Sequence, residues 1–142
     1  MEWGLFGGFV LALFVSWCAA LCWYDVRERR LPNALTLPAA GVAVVGSLWA
    51  LVDGAPASLV GATLWTAVNA AAFLARGMGA GDVKLAPTLG AVVGAASGVP
   101  EVLLAVLGAQ VVTIAWAIAA RDRTVPHGPA MIAAALVAVL VA

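Results

Sequence analysis

The chain has 142 residues, of which 65% are hydrophobic and 10% charged, with zero net charge and a mean hydropathy of +1.09. This excess of apolar side chains excludes an ordinary soluble domain and indicates a lipid bilayer as the environment. The zero net charge and the lack of a basic stripe argue against a nucleic-acid partner. No Ser- or Pro-rich linker divides the sequence, so residues 1–142 are expected to form a single domain.

Six apolar segments follow one another along the chain, separated by short polar or charged connections. They cover residues 4–24, 34–52, 59–75, 83–98, 101–120 and 130–142. Several are at or below the ~17–25 residues that span a hydrocarbon core, and the fourth and sixth are the shortest. The pattern predicts an all-α, polytopic membrane protein with six transmembrane helices.

The basic residues are distributed asymmetrically among the connections. All seven lie beside the first, third and fifth connections: Arg27, Arg29, Arg30, Arg76, Lys84, Arg121 and Arg123. The second and fourth connections carry the acidic residues Asp53 and Glu101. By the positive-inside rule, the basic face is cytoplasmic and both termini lie outside. One helix more or fewer would scatter the basic residues over both faces.

A few small and polar residues interrupt the apolar segments. Gly90, Gly94 and Gly98 recur every four residues in the fourth segment, which predicts close helix packing on that face. Asn69 and Gln110 are lone polar residues in the third and fifth segments. We expect interhelical hydrogen bonds from them, and a role near the functional site is the alternative.

Two aspartates lie where apolar segments meet charged connections. Asp25 closes the first segment and Asp82 opens the fourth, so the six-helix topology brings both to the cytoplasmic boundary. An acid in or beside a membrane segment is costly to bury and therefore indicates function, although each could instead be a helix-end or topology residue. A pair of nearby carboxyl groups can share a proton and activate a water. The helix dipole would make Asp82 the base and Asp25 the acid.

The residues around Asp82 are unusually rich in glycine. Gly77, Gly79 and Gly81 permit positive φ and let a backbone approach a bound peptide closely, although a flexible turn is the simpler interpretation. Lys84 could steer or bind a substrate, but its place on the cytoplasmic side is already explained by topology.

Other chemistries find little support in the sequence. The sole histidine, His127, has no serine or cysteine partner in a triad context. Cys18 and Cys22 offer at most two of the four ligands of a structural zinc site, so a plain apolar role is expected for both. We therefore expect neither a metal nor a cofactor.

Three stretches together carry a family resemblance. Asp25 with the basic residues after it and Leu31-Pro32-Asn33, then Gly79-Ala80-Gly81-Asp82-Val83-Lys84-Leu85, resemble the two aspartate regions of bacterial type IV prepilin leader peptidases. These are membrane aspartic peptidases of the Gly-x-Gly-Asp type. Pro126-His127-Gly128-Pro129 resembles a third recurring element of that family. The resemblance covers nearly the whole chain, in order and with suitable spacing.

The resemblance implies an aspartic endopeptidase that removes the leader from type IV prepilins or pseudopilins. The reaction would take place at the cytoplasmic face of the bacterial cytoplasmic membrane, with Asp25 and Asp82 as catalytic residues. Residues that would bind substrate or shape the site are Gly79, Gly81, Lys84, Pro126, Gly128 and Pro129. The implied partners are a prepilin or pseudopilin substrate and the lipid bilayer.

The chain also departs from parts of the family pattern. Longer members carry a cytoplasmic region with paired cysteines and an N-methyltransferase activity, whereas this chain has a short first connection and no cysteine pair outside the apolar segments. It therefore resembles the peptidase-only kind that serves Flp/Tad-type pili, and no methyl transfer is expected. His127 stands where many relatives have an aromatic residue, and no catalytic role is assigned to it.

Two other classes of function stay open from the sequence. A small proton-coupled transporter subunit would also hold membrane acids, but near the midplane rather than at segment ends. A non-enzymatic pilus or secretion assembly component would account for the fold but not for the two acids.

Overall fold

The computed structural model describes residues 2–142, apart from the side chains of residues 2, 3, 5 and 6. This part of the chain forms six helices and no strand. The helices are α1 Glu2–Glu28, α2 Asn33–Val52, α3 Ala57–Leu74, α4 Ala80–Ala96, α5 Val99–Ala120 and α6 Gly128–Val141. The prediction of an all-α fold with six helical segments is confirmed, and each predicted segment end lies within four residues of the observed one.

Length separates the helices into two groups. Within the described residues, four helices are long and apolar enough to cross a membrane: Gly7–Glu28 of α1, and the whole of α2, α3 and α5. The 17 residues of α4 and the 14 of α6 rise only ~26 and ~21 Å, against a hydrocarbon core of ~30 Å. Length and composition therefore support a multi-pass membrane protein with four clear candidate spans.

The short helix α4 lies at the centre of the bundle and packs against α2, α3, α5 and α6. Its closest neighbour is α3, because two α4 glycines allow backbone-to-backbone contact. A Cβ on Gly90 would collide with the carbonyl oxygen of Gly61, and one on Gly94 would collide with the carbonyl oxygen of Ala57. The predicted glycine face is thus confirmed at these two positions, where small residues permit close helix approach.

The third glycine of that series has a different role. Gly98 lies beyond the end of α4 at Ala96 and forms the N-cap of α5, with φ +106°. Placing it on the packing face of the fourth segment was wrong, because the helix ends before reaching it. A side chain rarely adopts this φ, so glycine is required by the turn between α4 and α5.

Three arginines end the helices that reach one end of the bundle. Arg29, Arg76 and Arg121 follow α1, α3 and α5, and their φ angles are 50°, 59° and 52°. A left-handed residue commonly ends a helix, but glycine usually fills that position because it carries no steric cost. Arginine supplies a positive charge near the helix carbonyls and the membrane surface instead.

The connections that carry these arginines are joined by hydrogen bonds. The Arg29 guanidinium donates to the Thr124 carbonyl oxygen at 2.8 Å, to the Thr124 hydroxyl, and to Asp122 Oδ2 at 3.1 Å. Hydrogen bonds from the Thr124 hydroxyl and backbone N–H, followed by that from Arg29, lower the pKa of Asp122 to about 2. The first and fifth connections therefore meet at one end of the bundle.

Candidate active site

A cavity of about 580 Å³ opens at the end of the bundle where α1 ends and where α2 and α4 begin. Its wall includes the side chains of both Asp25 and Asp82, which are only 6% and 8% exposed. Gly79, Gly81 and Lys84 line the same cavity. The structure thus gathers five of the eight site residues suggested by the sequence around one opening.

Asp25 is held in place by the start of another helix. It lies in the last turn of α1, which continues to Glu28 rather than ending near residue 24. Its Oδ2 accepts a hydrogen bond of 2.8 Å from the backbone N–H of Gly128, the first residue of α6. A carboxyl group at the N-terminus of a helix is favoured by the unpaired backbone N–H groups there.

This contact removes the basis for assigning acid and base from helix dipoles. That argument counted only the C-terminus of α1, the helix to which Asp25 belongs. The structure places Asp25 against the N-terminus of α6 and Asp82 in the first turn of α4. Both carboxyl groups therefore lie near positive helix ends, and the dipoles do not distinguish their roles.

Gly128 is the part of the Pro126–Pro129 element that touches the site. A Cβ at this position would lie 2.6 Å from Asp25 Oδ2 and 3.3 Å from its Cγ, so a larger residue would displace the carboxyl group. Pro129 occupies the second position of α6, where its missing N–H costs no helical hydrogen bond. Pro126 and Pro129 flank Gly128 but do not line the cavity.

The glycines before Asp82 have ordinary backbone angles, and one of them, Gly81, permits close packing. Gly77, Gly79 and Gly81 permit a positive φ, but none of the three adopts it. The chain enters α4 through Gly79 in an extended conformation (φ −79°, ψ 153°), and Gly81 is already helical. A Cβ on Gly81 would lie 3.0 Å from the Cβ of Leu31, so glycine lets α4 approach the first connection closely.

Asn69 connects the core of the bundle to Asp82. Its fully buried side chain donates from Nδ2 to the Asp82 carbonyl oxygen at 3.2 Å and contacts Met131 Sδ at 3.5 Å. The predicted interhelical hydrogen bond is confirmed, and it ends on the backbone of a candidate site residue. A role for Asn69 near the functional site stays a prediction, and the half-buried Gln110 does not line the cavity.

Several residues of the cavity wall were not proposed as site residues from the sequence, among them Glu28 and Asn33. Lys84 Nζ donates to Asn33 Oδ1 at 2.7 Å, which joins the first turns of α4 and α2 across the opening. Glu28 follows Asp25 by three residues, and this helical spacing was the available signal that it shares the same face.

His127 is buried beside the site but does not line the cavity. The Thr113 hydroxyl donates to the Ala109 carbonyl oxygen at 2.9 Å, so at 2.6 Å it accepts from His127 Nδ1–H. Burial lowers the pKa of His127 to about 4, which keeps the ring neutral near pH 7. Its hydrogen bond orients the turn that presents the Gly128 N–H to Asp25.

Neither cysteine lines the cavity. Cys18 is buried in the core and Cys22 is half-buried, in keeping with the expected apolar role. Across the described part of the chain, no three His, Cys, Asp or Glu side chains are grouped so that they could hold a metal ion.

Comparison with known proteins agrees with the sequence resemblance. A protein from Xanthomonas campestris pv. campestris, named "Prepilin leader peptidase/N-methyltransferase", is 36% identical over 137 residues. The match covers 89% of this chain and 47% of the relative, so the chain spans about half of that protein's length. No solved structure matches. Residues 12–118, which include both aspartates of the cavity, match the model of the type IV leader peptidase family. The chain therefore belongs to the type IV leader peptidase family.

Proposed function

We propose that this protein is an aspartic endopeptidase that removes the leader peptide from type IV prepilins or pseudopilins. Family membership supports the class of reaction. The observation that carries the proposal is the pair of nearly buried carboxyl groups, Asp25 and Asp82, on the wall of one open cavity. Burying an ionisable acid costs free energy of folding, so the presence of two such acids at one site indicates a functional role.

The proposed reaction is general acid and base hydrolysis by the aspartate pair. One carboxylate takes a proton from a water molecule, whose oxygen then bonds to the carbonyl carbon of the scissile peptide. The other carboxyl group, in its protonated form, donates to the carbonyl oxygen. Collapse of the tetrahedral intermediate breaks the C–N bond; the departing nitrogen takes the proton that the first carboxylate gained from water, and the re-forming carbonyl returns its proton to the second carboxylate. Gly128 supports this chemistry by orienting Asp25 through its N–H.

The proposed setting is the bacterial cytoplasmic membrane, crossed six times, with both termini outside and the cavity facing the cytoplasm. The one-sided distribution of all seven Lys and Arg residues supports this orientation. The shortness of α4 is compatible with a crossing, because protein surrounds it on four sides and little of it needs to meet lipid. Cysteine labelling should place Arg29, Gly79 and Arg123 in the cytoplasm, and Asp53 and Glu101 outside. Labelling of Gly79 from the outer face would contradict this topology.

The chain is further proposed to act as one domain without methyl transfer. The relative that is twice as long carries N-methyltransferase in its name. In this chain the connection between α1 and α2 contains only residues 29–32, and both cysteines lie within α1. The paired cysteines that characterise the methyltransferase region of longer members have no counterpart in that connection.

Replacement of the two acids tests the peptidase proposal. Asp25→Asn and Asp82→Asn keep the side-chain shape but remove ionisation, so each should lower leader removal by at least ~10²-fold. Co-expression with candidate prepilins, followed by gel analysis of leader loss, provides the assay. Asp53→Asn is the matched control, because Asp53 is exposed at the C-cap of α2, remote from the cavity. Near-normal processing by either cavity variant would overturn the assignment.

A further inference from the structure

Two contacts join the end of α1 to the residues that lead into α6. The buried contact is the hydrogen bond from the Gly128 N–H to Asp25 Oδ2. The exposed contact lies one helical turn further along α1, where Arg29 Nη1 donates to the Thr124 carbonyl oxygen at 2.8 Å and Nη2 donates to Asp122 Oδ2 at 3.1 Å. Asp25 and Arg29 are separated along the chain by the same number of positions as Thr124 and Gly128. The two contacts therefore tie the same two segments together.

Arg29 binds a turn that is already ordered by its own hydrogen bonds. Asp122 Oδ1 accepts from the Thr124 backbone N–H at 2.9 Å and from the Thr124 hydroxyl at 2.7 Å. Asp122 Oδ2, the Thr124 carbonyl oxygen and the Thr124 hydroxyl oxygen then accept from the Arg29 guanidinium. A planar guanidinium suits several acceptors in fixed positions, whereas a lysine ammonium does not reproduce this geometry. We call Arg29, Asp122 and Thr124 the Arg29 clamp.

The clamp is connected by short paths to both aspartates of the cavity. On one side, the Arg29 backbone N–H donates to the Asp25 carbonyl oxygen at 3.0 Å, which closes the last turn of α1. On the other side, Leu31 follows Arg29 by two positions, is 8% exposed, and lies so close to Gly81 that a Cβ there would be 3.0 Å from the Leu31 Cβ. Gly81 directly precedes Asp82. A displacement of Arg29 would therefore be passed to both carboxyl groups.

The stability of the fold gives little reason for this arrangement. The Arg29 and Asp122 side chains are 53% and 40% exposed, and an exposed ion pair adds little to the free energy of unfolding. The same contacts do restrict how the two connections lie relative to each other. Catalysis by a pair of groups is far more sensitive to such small displacements than stability is.

We infer that Arg29 is a positioning residue for the proposed reaction: by clamping the end of α1 to the connection between α5 and α6, it fixes the spacing between Asp25 and Asp82. This inference rests on the proposed peptidase function. It is separate from the role of Arg29 in topology, since any basic residue on this side of the membrane would satisfy the positive-inside rule. The clamp needs the guanidinium itself.

Two conservative substitutions test the clamp from its two sides. Arg29→Lys keeps the positive charge but loses the planar fork. Asp122→Asn keeps an oxygen for Thr124 but turns an amide donor toward Arg29. Each should lower kcat for prepilin cleavage by the purified full chain about fivefold, with KM and the thermal unfolding midpoint near those of the wild type. Arg76→Lys is the matched control and should cleave normally, because Arg76 ends α3 in the same left-handed conformation (φ 59°) but does not line the cavity.

The double variant shows whether the two residues act as one unit. Arg29→Lys combined with Asp122→Asn should again be about fivefold slower than the wild type, whereas independent effects would multiply to about 25-fold. Multiplied effects, a normal kcat in either single variant, or an equal loss in Arg76→Lys would overturn the inference. So would a rise in KM alone, which would mean that Arg29 contacts the substrate, or a fall in the unfolding midpoint that parallels the loss of activity. Failure of the wild type to process any prepilin would instead refute the peptidase proposal.

Discussion

Replacement of Gly128 by alanine tests how Asp25 is positioned. The new Cβ would lie 2.6 Å from Asp25 Oδ2, whereas a relaxed carbon–oxygen contact is ~3.5 Å, so these atoms must separate by about 0.9 Å. The present N–H···Oδ2 hydrogen bond of 2.8 Å would then stretch beyond the usual limit of ~3.2 Å and be lost. Misplacing a catalytic group by ~1 Å can cost ~10²-fold, so Gly128→Ala should slow cleavage by about 10- to 100-fold.

The assay is the rate of leader removal by purified protein in detergent, with inserted protein quantified in parallel. Alanine is a better helix former than glycine by ~1 kcal/mol, so the variant should still fold. Gly46→Ala is the matched control, since a Cβ there meets no atom within 4 Å. The expected effect is a fall in kcat with little change in KM. A Gly128→Ala protein that cleaves at the wild-type rate would show that the Gly128 contact does not position Asp25 for catalysis.

Two further predictions concern residues that support the site. Asn69→Leu removes the donor to the Asp82 carbonyl and should slow cleavage about fivefold, the equivalent of ~1 kcal/mol. The thermal unfolding midpoint of this variant should change little, because leucine also removes the buried Oδ1, which has no partner within the described chain, and this offsets the lost hydrogen bond. His127 has a folded pKa of about 4, below its ordinary 6.5. Its contribution to stability is therefore complete above pH 6.5 and declines as pH falls toward 4. Thermal unfolding across this range should show a shallower decline in His127→Phe, and parallel curves would contradict the burial of a neutral ring.

The sequence predicted the helix order well because the hydropathy pattern and the basic residues gave independent signals. The largest boundary error is at α1, which extends to Glu28 although Arg27 and Glu28 are charged. Charged residues ended the predicted segment because they rarely lie in hydrocarbon, but a helix can continue past the membrane surface. The Arg27 guanidinium lies over the Trp23 ring at 4.6 Å, which places its charge against the same helix one turn back.

The sequence pointed to the two aspartates of the candidate site but not to the contact that orients Asp25. The sequence predicted that Asp25 and Asp82 lie together because both are at segment ends on the side that carries the basic residues, unlike Asp53 and Glu101. The hydrogen bond from Gly128 to Asp25 joins residues 103 positions apart, and no local pattern encodes such a contact. The glycines before Asp82 were noticed for their flexibility, whereas Gly81 is required by the nearness of Leu31, a property of the packed structure.

Under the proposed peptidase function, the positions at which α4 and α6 begin have a physical reason. Peptide hydrolysis consumes water, which an apolar bundle excludes, so the two acids need a place that is both recessed and reached by solvent. Asp82 and the Asp25 partner Gly128 lie in the first turns of α4 and α6, and Asp25 lies in the last turn of α1. Because these helices begin next to the two acids, the end of the bundle beside the acids is an open cavity and is not filled by further helical turns. An extra N-terminal turn on α4 would fill the opening that Gly79 and Ala80 line, so under the proposed peptidase function the late start of α4 keeps the two acids open to water.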